Sequence, residues 1–147
     1  MKFSLALPRE ALSVPVIRKV LGDALNGLGV SPDCIADILV AASEACTNVI
    51  EHAETASDFE VAASIDDDNC VLRIADNGRG FRDVPERQSG PDDESGRGIK
   101  IMRALLDGVD FDSHPGQGTV VYLHKRLTWR DEAPIRRLEG ELVHSGR

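Results

Sequence analysis

The stretch Ala41-Ala42-Ser43-Glu44-Ala45-Cys46-Thr47-Asn48-Val49-Ile50-Glu51-His52-Ala53 decides how the rest of the chain is read. It contains no glycine or proline and sorts its residues by polarity around a helical wheel. Extended back to Ser31-Pro32, which suit an N-cap and the first helical position, it predicts one long helix ending near His52. At helical spacing Ile35, Ile38, Ala42, Cys46, Val49 and Ala53 share one face, while Asp37, Glu44, Asn48, Glu51 and His52 share the other. Glu44 and Asn48 are four residues apart, so their side chains project together, with Cβ atoms roughly 6 Å apart. A carboxylate can orient or deprotonate a nucleophile, and an amide oxygen is a hard ligand suited to Mg²⁺. Taken alone, the pair fits a solvated helix face better than a site.

On the N-terminal side, Val14, Ile17, Val20, Leu21, Ala24, Leu25 and Leu28 recur at helical spacing between Ser13, a fitting N-cap, and Gly29, a fitting stop. Before them, the alternating residues 2–7 end at Pro8 and suit an edge strand. On the C-terminal side, residues 58–66 and 70–75 are rich in Val, Ile, Leu and Ala around the turn formers Asp66 to Asn69, which predicts an antiparallel hairpin. Residues 82–95 are polar and carry Pro and Gly, a long loop of the functional kind. A third helix is expected from about Gly98 to Leu106, followed by a second hairpin of residues 109–113 and 118–127.

Three more segments carry chemistry. Asp76-Asn77-Gly78-Arg79-Gly80 follows directly on a strand. Its aspartate offers acceptor oxygens to an exocyclic amine such as that of adenine, and Gly78 and Gly80 permit close backbone approach. Gly96-Arg97-Gly98-Ile99-Lys100 opens a helix, where backbone N–H groups and the positive end of the dipole suit phosphate oxygens. It is not a Walker A loop, since the GxxxxGK[ST] spacing is absent. Gly118-Thr119 begins the last strand, where the threonine hydroxyl can close a nucleotide pocket or simply fit a pleated sheet.

Composition narrows the function classes. A chain of 147 residues suits one domain, and with aromatics at 4% the core must be built from Leu, Ile, Val and Ala. The formal net charge of −8 disfavours adhesion to nucleic acid or anionic lipid, leaving a protein or small molecule as the expected partner. Apolar runs fall well short of the roughly 18 residues of a membrane span, and no signal-peptide core is evident, so a cytoplasmic location is expected. Cys34, Cys46 and Cys70 lack CxxC spacing and read as buried core residues rather than disulfide or zinc ligands.

Glu-x-x-x-Asn on a helix, Asp-x-Gly-x-Gly after a strand, Gly-x-Gly before a helix and Gly-Thr on a final strand occur here in that order. Together they resemble the four nucleotide-binding boxes of the GHKL, or Bergerat-fold, ATPases. The surrounding wording, including Gly98-Ile99-Lys100-Ile101-Met102-Arg103-Ala104-Leu105-Leu106-Asp107, is similar to the stand-alone anti-sigma-factor serine/threonine kinases over about residues 3–127. The resemblance implies an α+β two-layer sandwich, a mixed and mostly antiparallel sheet covered on one face by about three helices. It places the kinase domain in residues 1–127 and leaves residues 128–147 as a polar tail, frayed or weakly helical.

The activity it implies is Mg·ATP-dependent phosphorylation of a serine or threonine on a STAS-type anti-anti-sigma partner, together with sequestration of a sigma factor, usually by a homodimer. An ATP-responsive anti-sigma or adaptor module without catalysis is the alternative. Carried over by residue, Glu44 is the general base and Asn48 the Mg²⁺ ligand. Asp76 binds adenine with Gly78 and Gly80 shaping its pocket, Gly96 and Gly98 approach the phosphates, and Thr119 completes the adenine site. Arg97, Ile99 and Lys100 join the phosphate segment, and His52, beside Asn48, is grouped with the nucleotide-binding residues, although packing at the helix end suits it better than phosphorylation. Residues 82–95 are the expected lid.

Overall fold

The computed structural model describes residues 1–52, 58–76, 94–114 and 118–130. In chain order these form strand β1 (Lys2–Leu7), helices α1 (Ser13–Leu28) and α2 (Pro32–His52), strands β2 (Phe59–Ile65) and β3 (Asn69–Asp76), helix α3 (Glu94–Leu105), and strands β4 (Gly108–His114) and β5 (Gly118–Arg126).

The five strands make one sheet in the order β1-β2-β3-β5-β4. Every pairing is antiparallel, so the mixed sheet expected from the sequence is antiparallel throughout the described residues. The reason is topological: β5 returns from the β4 hairpin and inserts between β3 and β4, separating the two strands that α3 connects. The polypeptide therefore reaches Asp76 at the end of β3 directly opposite Thr119 near the start of β5.

Strand alternation explains why the helices sit on one face. Phe59, Val61, Ala63 and Ile65 of β2, Leu72 and Ile74 of β3, and Val121 and Leu123 of β5 are buried beneath the helix layer. The intervening residues Glu60, Val71, Arg73 and Tyr122 lie on the uncovered face, where Arg73 and Glu60 pair at 3.1 Å. In α1, Ile17, Leu21 and Leu25 recur every fourth residue and are fully buried. Burial on this scale contributes about 1.5–3 kcal/mol per large aliphatic side chain, which is what holds the helices to the sheet. All three cysteines are core residues, as expected, and burial pushes the thiols of Cys46 and Cys70 up to about 12.

Helix ends follow local chemistry. Gly29 stops α1 in the left-handed conformation, φ 95°, and its N–H reaches back to the carbonyl of Asn26 at 3.1 Å. Ser13 does not serve as the N-cap that the sequence suggests. It is the first helical residue, and its hydroxyl turns back to donate to the Pro8 carbonyl at 2.6 Å, fixing the β1–α1 connection instead. Ser31 precedes α2 and its carbonyl accepts from Ile35 N–H at 3.0 Å. Between β2 and β3, Asp66 Oδ1 accepts from the N–H groups of Asp68 and Asn69 at 2.8 and 2.7 Å, an Asx-type turn. Those two N–H groups hold the Asp66 carboxyl below the usual carboxylate range.

Ordered packing continues past Leu127. Thr128 C=O accepts from Ser31 N–H at 2.8 Å, Arg130 N–H donates to the Gly29 carbonyl at 2.9 Å, and Trp129 bridges to Val30 while its indole N–H reaches the Asp67 carbonyl at 2.8 Å. Residues 131–147 of the expected tail lie outside the described residues.

Candidate functional site

The polar face of α2 is partly covered: Asn48 is buried, Glu44 half-buried and Glu51 exposed. Helix α3 packs across it, and the two enclose a cavity of about 210 Å³ lined by Glu44, Thr47, Asn48, Glu51, Arg97, Gly98 and Ile101. Glu44, Thr47, Asn48 and Glu51 follow the three-or-four spacing that puts helical residues on one stripe, and Arg97, Gly98 and Ile101 repeat it from α3. Glu44 and Asn48 are thus brought together with Arg97 and Gly98, the pairing between distant motifs that the sequence suggests. Thr47, Glu51 and Ile101 line the same cavity without being singled out by the motifs. The helical spacing of the first two from Glu44 and Asn48 is the signal that could find them.

Asn48 is only 5% exposed, and its Nδ2 finds no hydrogen-bond partner among the described residues. A buried amide left without a partner costs roughly 1–3 kcal/mol, a cost expected where a ligand supplies the missing partner. Through its amide oxygen the same side chain is a fitting hard ligand for Mg²⁺, an ion usually held by one or two protein groups plus substrate phosphates. Among the described residues no three His, Cys, Asp or Glu side chains gather as a metal-binding group.

Two further buried polar residues lie at the strand ends. Asp76 and Thr119, at 2% and 1% exposure, face each other in the β3–β5 register, and Phe59 of β2 flanks Asp76 on its other side. A carboxylate is rarely fully buried without a purpose, and one set between a hydroxyl and an aromatic ring is suited to accept from a flat, amine-bearing ligand. Gly118, just before Thr119, has φ 92°, which a side chain would strain. Its presence in the Gly-Thr pair is therefore explained by the backbone.

The remaining expected residues are placed as follows. Helix α3 begins at Glu94, so Gly96 and Gly98 lie within the helix and not ahead of it, and the last two residues of the expected lid belong to its first turn. By the i→i−4 pattern, the N–H groups without an intrahelical partner extend only to Gly96, so Gly98 N–H is committed to the helix. Arg97 is exposed at the cavity rim, Ile99 is 3% exposed and belongs to the hydrophobic core, and Lys100 points to solvent. His52 is the last residue of α2. Gly78, Gly80, residues 82–93 of the expected lid and the side chain of His52 lie outside the described residues.

A larger groove of about 580 Å³ runs across the uncovered sheet face near Arg73 and Tyr122, but it touches none of the four motif segments. The chemistry points to the cavity between α2 and α3.

A family model of the histidine kinase-like ATPase domain matches residues 7–125. The chain belongs to this family. The match runs from the end of β1 to the last residues of β5, so it includes both helices of the cavity and the Asp76–Thr119 pair. Curated relatives are named serine-protein kinase RsbW: one from Bacillus cereus is 28% identical, with 95% of this chain and 96% of the relative covered. The RsbW of Bacillus mycoides is 26% identical over 91% and 92%. Among solved structures, the RsbU and RsbW domains of Rv1364c from Mycobacterium tuberculosis align with TM-score 0.69 and 24% identity, covering 86% of this chain and 32% of that one. The SiaB–SiaC complex from Pseudomonas aeruginosa aligns with TM-score 0.58 and 11% identity, covering 84% and 88%. The expected α+β ATPase fold and its kinase-type kinship are thereby borne out. No described helix of this histidine kinase-like ATPase domain is long and apolar enough to cross a membrane.

Proposed function

We propose that the chain is an ATP-dependent protein serine/threonine kinase that phosphorylates a STAS-type anti-anti-sigma partner and sequesters a sigma factor. The observation that carries this reading is the shared cavity, in which α2 supplies Glu44 and Asn48 and α3 supplies Arg97 and Gly98. The near full-length similarity to proteins named serine-protein kinase supports it. So does the net charge of −8, which favours protein partners over nucleic acid or lipid. The homodimer, carried over from the resemblance, and the cytoplasmic location, expected from the short apolar runs, belong to the same reading.

Asp76 accepts a hydrogen bond from the adenine amine and Thr119 closes the pocket beside it. Asn48 is the residue that would hold Mg²⁺, which neutralises phosphate charge when bound with the nucleotide. Arg97 adds a positive charge at the open rim of the cavity, where the phosphates enter. Glu44 accepts the proton of the acceptor hydroxyl as its oxygen bonds to the γ-phosphorus and the bond to the bridging oxygen breaks, releasing ADP. Positioning supplies most of the catalysis in such a transfer, because the protein itself forms no covalent bond.

The direct test is incubation of the purified chain with ATP labelled at the γ-phosphate and a panel of STAS-domain proteins. Acid-stable label on a serine or threonine of one of them is expected. ATP binding without label on any acceptor would instead favour the non-catalytic anti-sigma module.

A further inference from the structure

Gly98 is a poor choice for its position by local rules. It is the fifth residue of a twelve-residue helix, buried, where alanine would be favoured by helix propensity. Breaking a local preference calls for a compensating gain. The surroundings supply one: a Cβ built on Gly98 would lie 2.9 Å from Glu44 Oε2 and 3.8 Å from Asn48 Nδ2. Carbon and oxygen do not approach to 2.9 Å without something moving. Glu44 is half-buried, and its carboxylate occupies the space that a methyl group on α3 would fill.

The geometry points to Gly98 as a positioning residue for Glu44, whose missing side chain lets α3 lie close enough to fix the carboxylate at the cavity wall. This rests on the reading of Glu44 as the base. It differs from a role for Gly98 against the phosphates, because the nearest atom to the missing methyl is the Glu44 carboxylate and the next is the Asn48 amide. The two accounts separate experimentally. The clash in Gly98→Ala falls on the far end of a flexible side chain, so the carboxylate turns to another rotamer while the helix stays in place. The fold is kept, nucleotide binding is kept, and the transfer step is lost.

The test compares wild type, Glu44→Ala, Gly98→Ala and the double variant, all as full-length chains. Thermal unfolding, Mg·ATP affinity and the rate of phosphoryl transfer to a STAS-domain acceptor are measured. Gly98→Ala should melt at or slightly above the wild-type temperature, bind Mg·ATP within about threefold of wild type, and transfer about 10²-fold more slowly or worse. The double variant should be no slower than Glu44→Ala alone, because both changes disable one device. Loss of nucleotide affinity in place of transfer rate, multiplying effects in the double variant, or failure of Gly98→Ala to fold would each overturn the proposal. If Glu44→Ala itself transfers at the wild-type rate, the base assignment fails first and the positioning role falls with it. A crystal structure of Gly98→Ala provides a readout without an acceptor: a displaced Glu44 carboxylate over an unmoved α3 is expected, and a displaced α3 with the carboxylate in place would contradict it.

Discussion

Replacing Glu44 with alanine is expected to slow phosphoryl transfer by about 10²- to 10⁴-fold, the usual worth of a positioned general base, while ATP affinity stays close to wild type. The separation follows from where the side chain sits. Glu44 is half-buried on the wall of the cavity between α2 and α3, whereas Asp76 and Thr119 lie at the sheet ends. Removing a carboxylate from a partly exposed helix position takes away no core packing, since the buried neighbours Ala41, Ala45 and Cys46 remain. The check is a single-turnover measurement at saturating Mg·ATP with separately determined affinity. A variant that transfers normally removes Glu44 from the mechanism.

Asp76→Asn is expected to weaken ATP binding by about 10- to 100-fold, the range for a hydrogen bond to a charged group. The residue is 2% exposed, its backbone is held in the β3–β5 ladder, and Phe59 and Thr119 flank it in register. The amide keeps the shape of the side chain and removes its charge. A purine triphosphate lacking the exocyclic amine isolates the contact, because Asp76 makes no bond to that group in its absence. Its affinity should be nearly the same for wild type and variant. Equal loss for both nucleotides would trace the effect to disturbed folding around β3 and not to adenine recognition.

Much of this arrangement is legible in the sequence because apolar periodicity and turn chemistry agree. The alternation of Phe59, Val61, Ala63 and Ile65 marks a strand, the spacing of Ile17, Leu21 and Leu25 marks a helix, and Gly29 marks its end. Three of the four motifs mark the candidate site because they place a costly residue there: Asn48, Asp76 and Thr119 are three of the four buried polar side chains among the described residues. What escapes is set by tertiary packing. The sequence puts Asn48 on the polar stripe of α2, but nothing local to α2 reveals that α3 covers it. Sequence signals start α3 near Gly98 because Gly96 and Gly98 weaken helix propensity, whereas the helix begins at Glu94 and packs on α2. Ile99 joins the phosphate segment by adjacency, yet helical rotation turns it into the core. The pairing of Thr128 and Arg130 with Ser31 and Gly29 has no periodic signature, because its main-chain bonds join two irregular segments.

The α2–α3 cavity, together with the Asp76–Thr119 pair, is proposed as a magnesium-dependent ATP site. Calorimetric titration of the purified chain with ATP, with and without Mg²⁺ and in parallel for Asn48→Ala, tests it most directly. Saturable binding that strengthens with Mg²⁺ is expected in the wild type, with that strengthening lost in Asn48→Ala. No binding to a protein shown to be folded, or binding that is indifferent to both the metal and the substitution, would contradict it.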